Sequence, residues 1–359
     1  GLATAAQRAI GHRLQAPQRA HEELARPLRI AAQLDQLPET GACQRERRCV
    51  VGCVGQLDGE LEILLGSFQA ISWRLLLIVW FPFALIQVLD TLGWRYAFRR
   101  DLTPFPTLLA VRLAGEAFNI ATPTASMGGE PVKAYLLRPR VPLGEGLASV
   151  VIAKTTVTLS QGAFLLVGIA LALAVLPPGA PLVKAMTWLA AVEAVALGGF
   201  VLAQQKGLFG GGLRLLKALG LSRAEHGHEG ARRLDSALSA FYREHRGRLM
   251  LSLLFHFGGW VVGSLEVYLI LHFMGIPVSL TTALIIEAFA AAIKSAAFLI
   301  PGGLGALEGG NMAVFAAIGL GAGVGLSMTL VRRFRELTWV AAGLVTLSLF
   351  RMATGPEAV

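Results

Sequence analysis

The sequence predicts an all-α, polytopic transmembrane helical bundle, and three observations support this fold class. The 359 residues are 54% apolar and 15% charged, whereas an ordinary soluble domain is about 25% charged. About six to eight apolar segments between residues 73 and 351 approach the length of about 20 residues that a helix needs to cross a bilayer. Two of these segments are interrupted by proline, glycine and glutamate in a similar order. We therefore expect two broken or re-entrant hairpins within the bundle.

Composition divides the chain into three regions. Residues 1–60 are polar and contain no apolar run of spanning length, which predicts an N-terminal tail outside the membrane domain. Residues 61–351 hold all the apolar segments and form the predicted transmembrane domain. Residues 352–359 form a short C-terminal tail.

The formal net charge of +9 is spread over loops between apolar segments. Such a pattern is typical of topology signals, because cytoplasmic loops of membrane proteins are rich in lysine and arginine, and it does not predict nucleic-acid binding. The most basic loop is 204–248, with nine Lys or Arg against four Asp or Glu. Leu234, Leu238 and Phe241 recur there at helical spacing, which indicates an interfacial amphipathic helix beside anionic lipid headgroups. A solvated loop that only sets topology is the alternative.

The first interrupted segment spans residues 107–132, after a predicted helix at 73–92. Basic residues flank it at both ends, which predicts that it enters and leaves the membrane on the same side. Glu116 and Asn119, three residues apart, share one helical face. The candidate site residues of this first break are Glu116, Asn119, Pro123, Gly128, Gly129, Glu130 and Lys133.

The second interrupted segment runs from residue 281 into the glycine-rich stretch 301–310. Lys294 lies seven residues after Glu287 on the same helical face, so we expect it to balance the glutamate charge. The candidate site residues of this second break are Glu287, Lys294, Pro301, Gly302, Gly303, Glu308 and Asn311.

Residues 323–351 form either one long kinked helix or two short ones. Arg332 and Arg333 lie in the middle of this stretch, and Arg335 follows them. They fit a binding cluster for a lipid phosphate or a cytoplasmic anchor equally well, and the sequence leaves both choices open.

The two breaks predict a common polar site. Proline lacks the backbone donor and glycine adopts unusual dihedral angles, so each break exposes backbone polar groups. In a membrane such groups must be buried in protein or line a wet cavity. Their matching order, in segments of opposite predicted orientation, is consistent with the inverted repeats of transporters. The alternative is that the breaks are kinks or surface loops without functional consequence.

Enzyme and metal motifs are missing from the sequence. It contains no Walker loop, HExxH motif or GxSxG elbow. The three cysteines, Cys43, Cys49 and Cys53, have no histidine nearby that would complete a metal site. We therefore expect no cofactor and no metal, and the pattern favours a transporter over an enzyme.

Three stretches resemble one membrane-protein family: NIATPTASMGGEPVKAYLL at 119–137, FLIPGGLGALEGG at 298–310 and SMTLVRRFRELTWVAAGL at 327–344. The family includes the flippase domain of lysylphosphatidylglycerol synthase, and the stretches are most similar to those of hopanoid-biosynthesis-associated members. This resemblance implies a multi-pass protein of the bacterial inner membrane that moves or handles a membrane lipid, a hopanoid or a phospholipid, between leaflets. It leaves the oligomeric state open, with a dimer among the options. A membrane-embedded headgroup transferase or hydrolase, and an accessory scaffold of a lipid-synthesis complex, stay as alternative functions.

Overall fold

The computed structural model describes residues 74–101, 103–122, 127–175, 181–205, 207, 211, 228–297 and 300–354. These residues form α-helices and one short 3-10 helix at Pro301–Gly303, without a strand, which confirms the all-α prediction. The predicted tail at 1–60 lies outside the described residues. The helices are α1 (Arg74–Tyr96), α2 (Phe105–Ala121), α3 (Gly129–Leu137), α4 (Leu143–Val175), α5 (Pro181–Gln205), α6 (His228–Glu244), α7 (Arg246–Phe273), α8 (Leu280–Ala296), α9 (Ala306–Ala317) and α10 (Ala322–Thr354).

Three helices of the described part are long and apolar enough to cross a membrane by length and composition. They are α4, α7 and, over Leu182–Gln204, α5. Helices α2 and α8 have 17 residues each, because the two breaks end them early. Helix α10 has 33 residues, but charged side chains interrupt its apolar run. The apolar segments are therefore of two kinds, long uninterrupted helices and shorter ones that end at a break.

Helix α7 lies at the centre of the bundle, where it packs against α1, α4 and α8. Small residues allow close contact between helices in such a core. A Cβ added to Gly168 of α4 would lie 2.3 Å from the Cβ of Ala288 in α8. The surrounding core contains Phe164, Ile270 and Phe315, all of which are buried.

Helix α10 is continuous, so residues 323–351 belong to one long helix rather than two short ones. It packs along α2, and its Gly343 makes the contact close. A Cβ at Gly343 would lie 2.4 Å from the backbone oxygen of Leu113. This packing places the helix that precedes the first break beside the helix that carries the arginines.

Helix α6 is the helix indicated by the apolar spacing in the basic loop. Its Leu238 and Phe241 side chains are fully buried in a core with Trp94 and Leu108. The apolar face of α6 therefore packs against this core, and the exposed arginines of α6 lie on its other face.

Candidate functional site

At the first break, α3 packs closely against α2. The Gly129 amide donates a hydrogen bond to the side-chain oxygen of Asn119 at 2.7 Å. A Cβ on Gly129 would come within 1.9 Å of the Gly115 backbone oxygen. Because no side chain fits between these backbones, glycine at 129 is what allows α3 to close onto α2.

A buried lysine connects the two helices of the first break. The Lys133 side chain is 4% exposed, and its Nζ lies 2.6 Å from Glu116 Oε1 and 3.1 Å from Glu130 Oε1. Asn119 donates to the same Glu130 oxygen at 3.1 Å, and Lys154 Nζ of α4 lies 3.9 Å from it. The first-break cluster, Glu116, Asn119, Glu130, Lys133 and Lys154, therefore contains two carboxylates and two ammonium groups.

The second break depends on backbone conformations that favour glycine. Gly302, Gly303 and Gly305 have φ values of 60°, 62° and 79°, in the left-handed region that L side chains rarely adopt. At the start of α9 the Gly305 amide donates to Glu308 Oε2 at 2.7 Å. The glycines thus turn the chain from α8 into α9. The Glu308 carboxylate accepts a hydrogen bond from the Gly305 amide, which has no partner within the helix.

Arg333 of α10 ties the second break to the rest of the bundle. Its Nε donates to Glu308 Oε1 at 2.8 Å, and its Nη1 donates to the Gly302 backbone oxygen at 2.7 Å. Nη1 also donates to Glu336 Oε2 at 2.9 Å. One guanidinium therefore satisfies a carbonyl and two carboxylates at the interruption. We call Gly302, Glu308, Arg333 and Glu336 the second-break cluster.

A second buried network lies beside this cluster, on α7, α8 and α10. Arg332 Nη2 donates to Glu287 Oε2 at 2.6 Å and to Glu266 Oε2 at 3.3 Å. Arg335 also forms an ion pair with Glu266. Gly263 makes room for this network, because a Cβ there would lie 2.7 Å from Glu287 Oε1. The partner of Glu287 is thus an arginine on another helix.

The profile of the lysylphosphatidylglycerol synthase TM region matches residues 61–343 of the sequence. The chain belongs to this family. It is therefore an integral membrane protein of a lipid-related family, in agreement with its long apolar helices. The searches of curated proteins and of solved structures returned no match. Both break clusters and the arginine network lie inside the part of the chain that matches the family.

Several predicted site residues of this family member lie apart from the clusters. Lys294 is exposed on α8, and Glu287 pairs with Arg332 instead. Asn311 is buried, and its side-chain amide donates to Thr329 Oγ1 at 2.9 Å. It therefore connects α9 to α10 and is not part of the second-break cluster. Pro123 lies outside the described residues.

The remaining predicted residues mark the edges of the breaks. Gly128 directly precedes α3 as its N-cap residue. Pro301 begins the short 3-10 helix of the second break. A surface hollow of about 380 Å³ on α5, lined by residues that include Lys184 and Trp188, contains none of the predicted site residues.

A charged contact beside the first break was not among the features predicted from the sequence. Arg112 lies one helical turn before Glu116, and its Nη2 is 2.8 Å from Asp90 Oδ2 on α1. His256 of α7 places its Nδ1 2.9 Å from the other oxygen of Asp90. The signal for Arg112 was present, since an arginine four residues from a glutamate in an apolar segment predicts a charged face.

Proposed function

We propose that the protein moves an amphiphilic membrane lipid between the leaflets of the bacterial inner membrane. It would bind the headgroup of this lipid at the two helix breaks. The substrate would be a phospholipid or a hopanoid-type lipid. The observation that carries this proposal is that each break holds a cation, Lys133 or Arg333, that contacts two carboxylates.

Charged residues inside a membrane are costly, about 2.5–3.5 kcal/mol each on insertion scales, and they commonly mark a substrate pathway. The described ion pairs offset that cost while no substrate is bound. A lipid headgroup brings its own charges and hydrogen-bonding groups, so it can exchange partners with Glu130 and Lys133 or with Glu308 and Arg333. Paired sites of this kind support a route for a polar headgroup through an apolar region.

Apolar side chains border both breaks on the outside. Ile120 and Met127 are exposed at the first break, and Ile300 and Leu304 are exposed at the second. In a bilayer these side chains would contact hydrocarbon, because water would not solvate them favourably. A lipid could therefore keep its tail in the bilayer beside these residues while its headgroup contacts the ion pairs.

One pair of helices connects the two sites. Helix α2 precedes the first break, and it packs against α10, which carries Arg333. The 3-10 helix of the second break also contacts α2. A movement of α2 against α10 would therefore change both breaks together, which supports a shared pathway.

The basic loop adds a second kind of lipid contact to the proposal. Four arginines are exposed on α6 and at the start of α7: Arg232, Arg233, Arg243 and Arg246. Anionic headgroups attract such groups at a membrane surface by about 1 kcal/mol for each basic residue. We propose that this surface faces anionic lipids of the cytoplasmic leaflet.

A lipid-movement assay tests the proposal. The purified chain is reconstituted into phosphatidylcholine vesicles that contain a trace of fluorescent phosphatidylglycerol, and dithionite bleaches the probe in the outer leaflet. We expect bleaching to continue into the inner-leaflet pool, with chemically unchanged lipid on extraction. Bleaching that stops at the outer-leaflet fraction, as in protein-free vesicles, would contradict lipid movement. A chemically altered probe would favour the headgroup transferase or hydrolase instead.

A further inference from the structure

Helix α5 carries a carboxyl group at its centre. Glu193 has twelve residues of the helix on either side of it. It lies on the same face as two buried residues, Met186 seven residues before it and Gln204 eleven residues after it. Helix α5 packs against α4 and α8 through this face. Glu193 is therefore partly buried and lies half-way along a predicted membrane span.

Both side-chain oxygens of Glu193 are buried, and neither has a hydrogen-bond partner in the described part of the chain. In this respect Glu193 differs from the other acids of the described helices that face the bundle. Asp90, Glu266 and Glu287 each pair with an arginine. Within the described residues, no opposite charge therefore compensates the burial of the Glu193 carboxyl oxygens.

The charged groups on the packed helices α4 and α8 do not reach Glu193. On α4, Glu145 lies in the first turn, and Lys154 is directed to Glu130. On α8, Glu287 binds Arg332 and Lys294 is exposed.

The third packed helix, α6, meets α5 at its far end. Its Tyr242 hydroxyl donates to Gln204 Oε1 at 2.9 Å. Gln204 is eleven residues from Glu193, which is about 16 Å along the helix axis. The ionisable residues of α6 therefore lie near the end of α5 and not beside its centre. Lys184 of α5 itself is exposed, two turns or more from Glu193.

We propose that Glu193 is a proton-binding site inside the membrane domain. Its carboxyl group is protonated while α5 packs against α4 and α8. An ionised carboxylate in this position would be a buried charge without a partner, which is far less stable than the neutral acid. Release of the proton therefore requires water to reach the carboxyl or α5 to move away from the bundle. This inference does not depend on lipid movement, and it gives the chain a group through which a proton gradient can act.

Carbodiimide labelling of the reconstituted full chain tests the site. Dicyclohexylcarbodiimide reacts with protonated carboxyl groups in apolar surroundings: the carboxyl oxygen bonds to the central carbon, the proton passes to a nitrogen, and an acyl shift gives a stable N-acylurea. We expect peptide mass spectrometry to find the adduct on Glu193 at neutral pH, at a level at least about tenfold above that on the arginine-paired Glu287. Glu193→Gln should remove the adduct. Labelling of Glu193 at or below the level of Glu287 would count against the proposal unless the reagent does not reach the site, and a second measurement separates these two cases.

Infrared spectroscopy provides that measurement, because it does not require a reagent to reach the site. The wild-type spectrum minus the Glu193→Gln spectrum should contain the carbonyl stretch of a protonated carboxyl at neutral pH, where an exposed glutamate is ionised, and this band should decrease as the pH is raised. The band supports the proposal even where labelling is weak. A missing band, or a band that does not change with pH, would overturn it, since Glu193 would then be ionised throughout or a fixed structural acid.

Discussion

The Lys133 ammonium of α3 lies 2.6 Å from the Glu116 carboxylate of α2, and it also contacts Glu130 on its own helix. Gly115 leaves the space for this contact, because a Cβ there would lie 2.4 Å from Lys133 Cγ. The ion pair thus bridges the chain interruption at a point where the backbones are too close for larger residues. A buried charge that holds two broken helices together should affect both stability and lipid handling.

Removing the Lys133 charge should destabilise the protein strongly. In Lys133→Met, Glu116 and Glu130 lose their common cation, and loss of one partner from a buried ion pair costs about 3–5 kcal/mol. Unfolding of the purified protein in detergent would measure the loss. Adding Glu116→Gln to this variant should restore part of the stability, because it removes one unpaired carboxylate. A single variant as stable as wild type would contradict the described pairing.

Replacing Gly129 with alanine should disrupt the first break. The new Cβ would lie 1.9 Å from the Gly115 backbone oxygen, which cannot move without shifting α2. Overpacking of this kind costs about 1–3 kcal/mol or more. Gly309→Ala is the matched control in α9, because a Cβ there meets nothing within 4 Å, and it should stabilise the helix by about 0.5–1 kcal/mol. Equal effects of the two substitutions on thermal unfolding would show that the close approach is absent.

The contact between Arg332 and Glu287 should show a large coupling energy. A double-mutant cycle with Arg332→Gln and Glu287→Gln should give about 1–3 kcal/mol in unfolding free energy, because the two groups are buried and in direct contact. The exposed pair Arg233 and Glu229 on α6 is the matched control, and it should give about 0.3–0.5 kcal/mol. A coupling energy between Arg332 and Glu287 no larger than that of the exposed pair would contradict the buried contact between them.

Asp101 should make stability depend on acidity. It lies between α1 and α2; its slight burial raises its pKa, but hydrogen bonds from Arg248 and Arg95 lower the pKa more, to below its usual range. The pairing therefore stabilises the fold above the unfolded-state pKa of about 3.9, and this stabilisation is lost as the pH falls through the lower folded-state pKa.

The measurement for Asp101 is the melting temperature of wild type and Asp101→Asn in detergent. The variant should melt lower at about pH 7, and the difference should shrink at about pH 3. An unchanged difference across this range would mean that the carboxylate charge does not contribute.

The helical fold and the positions of the breaks follow from local sequence. Apolar runs predict helices, and the glycines at 302, 303 and 305 adopt left-handed conformations between α8 and α9. The choice between one and two helices at 323–351 required the structure, because the arginines interrupt the apolar pattern without breaking the backbone.

The ion pairs themselves could not be predicted from spacing. Lys294 shares a helical face with Glu287, yet the partner of Glu287 is Arg332, forty-five residues further along the chain. This contact depends on how α7, α8 and α10 pack, and small residues such as Gly263 decide that packing. Local periodicity shows which residues share a face, but it does not show which other helix that face meets.

The most direct test of the account is lipid movement by the Glu130→Gln and Glu308→Gln variants in vesicles, beside Glu229→Gln as the control for an exposed glutamate. Each break variant keeps the shape of the side chain but loses the charge that contacts Lys133 or Arg333. We predict that both break variants move the fluorescent lipid at least about tenfold more slowly than wild type, which corresponds to about 1.4 kcal/mol in the barrier, while Glu229→Gln keeps the wild-type rate. Wild-type rates for both break variants, in protein that is folded and reconstituted equally well, would contradict the assignment of the site to the two breaks.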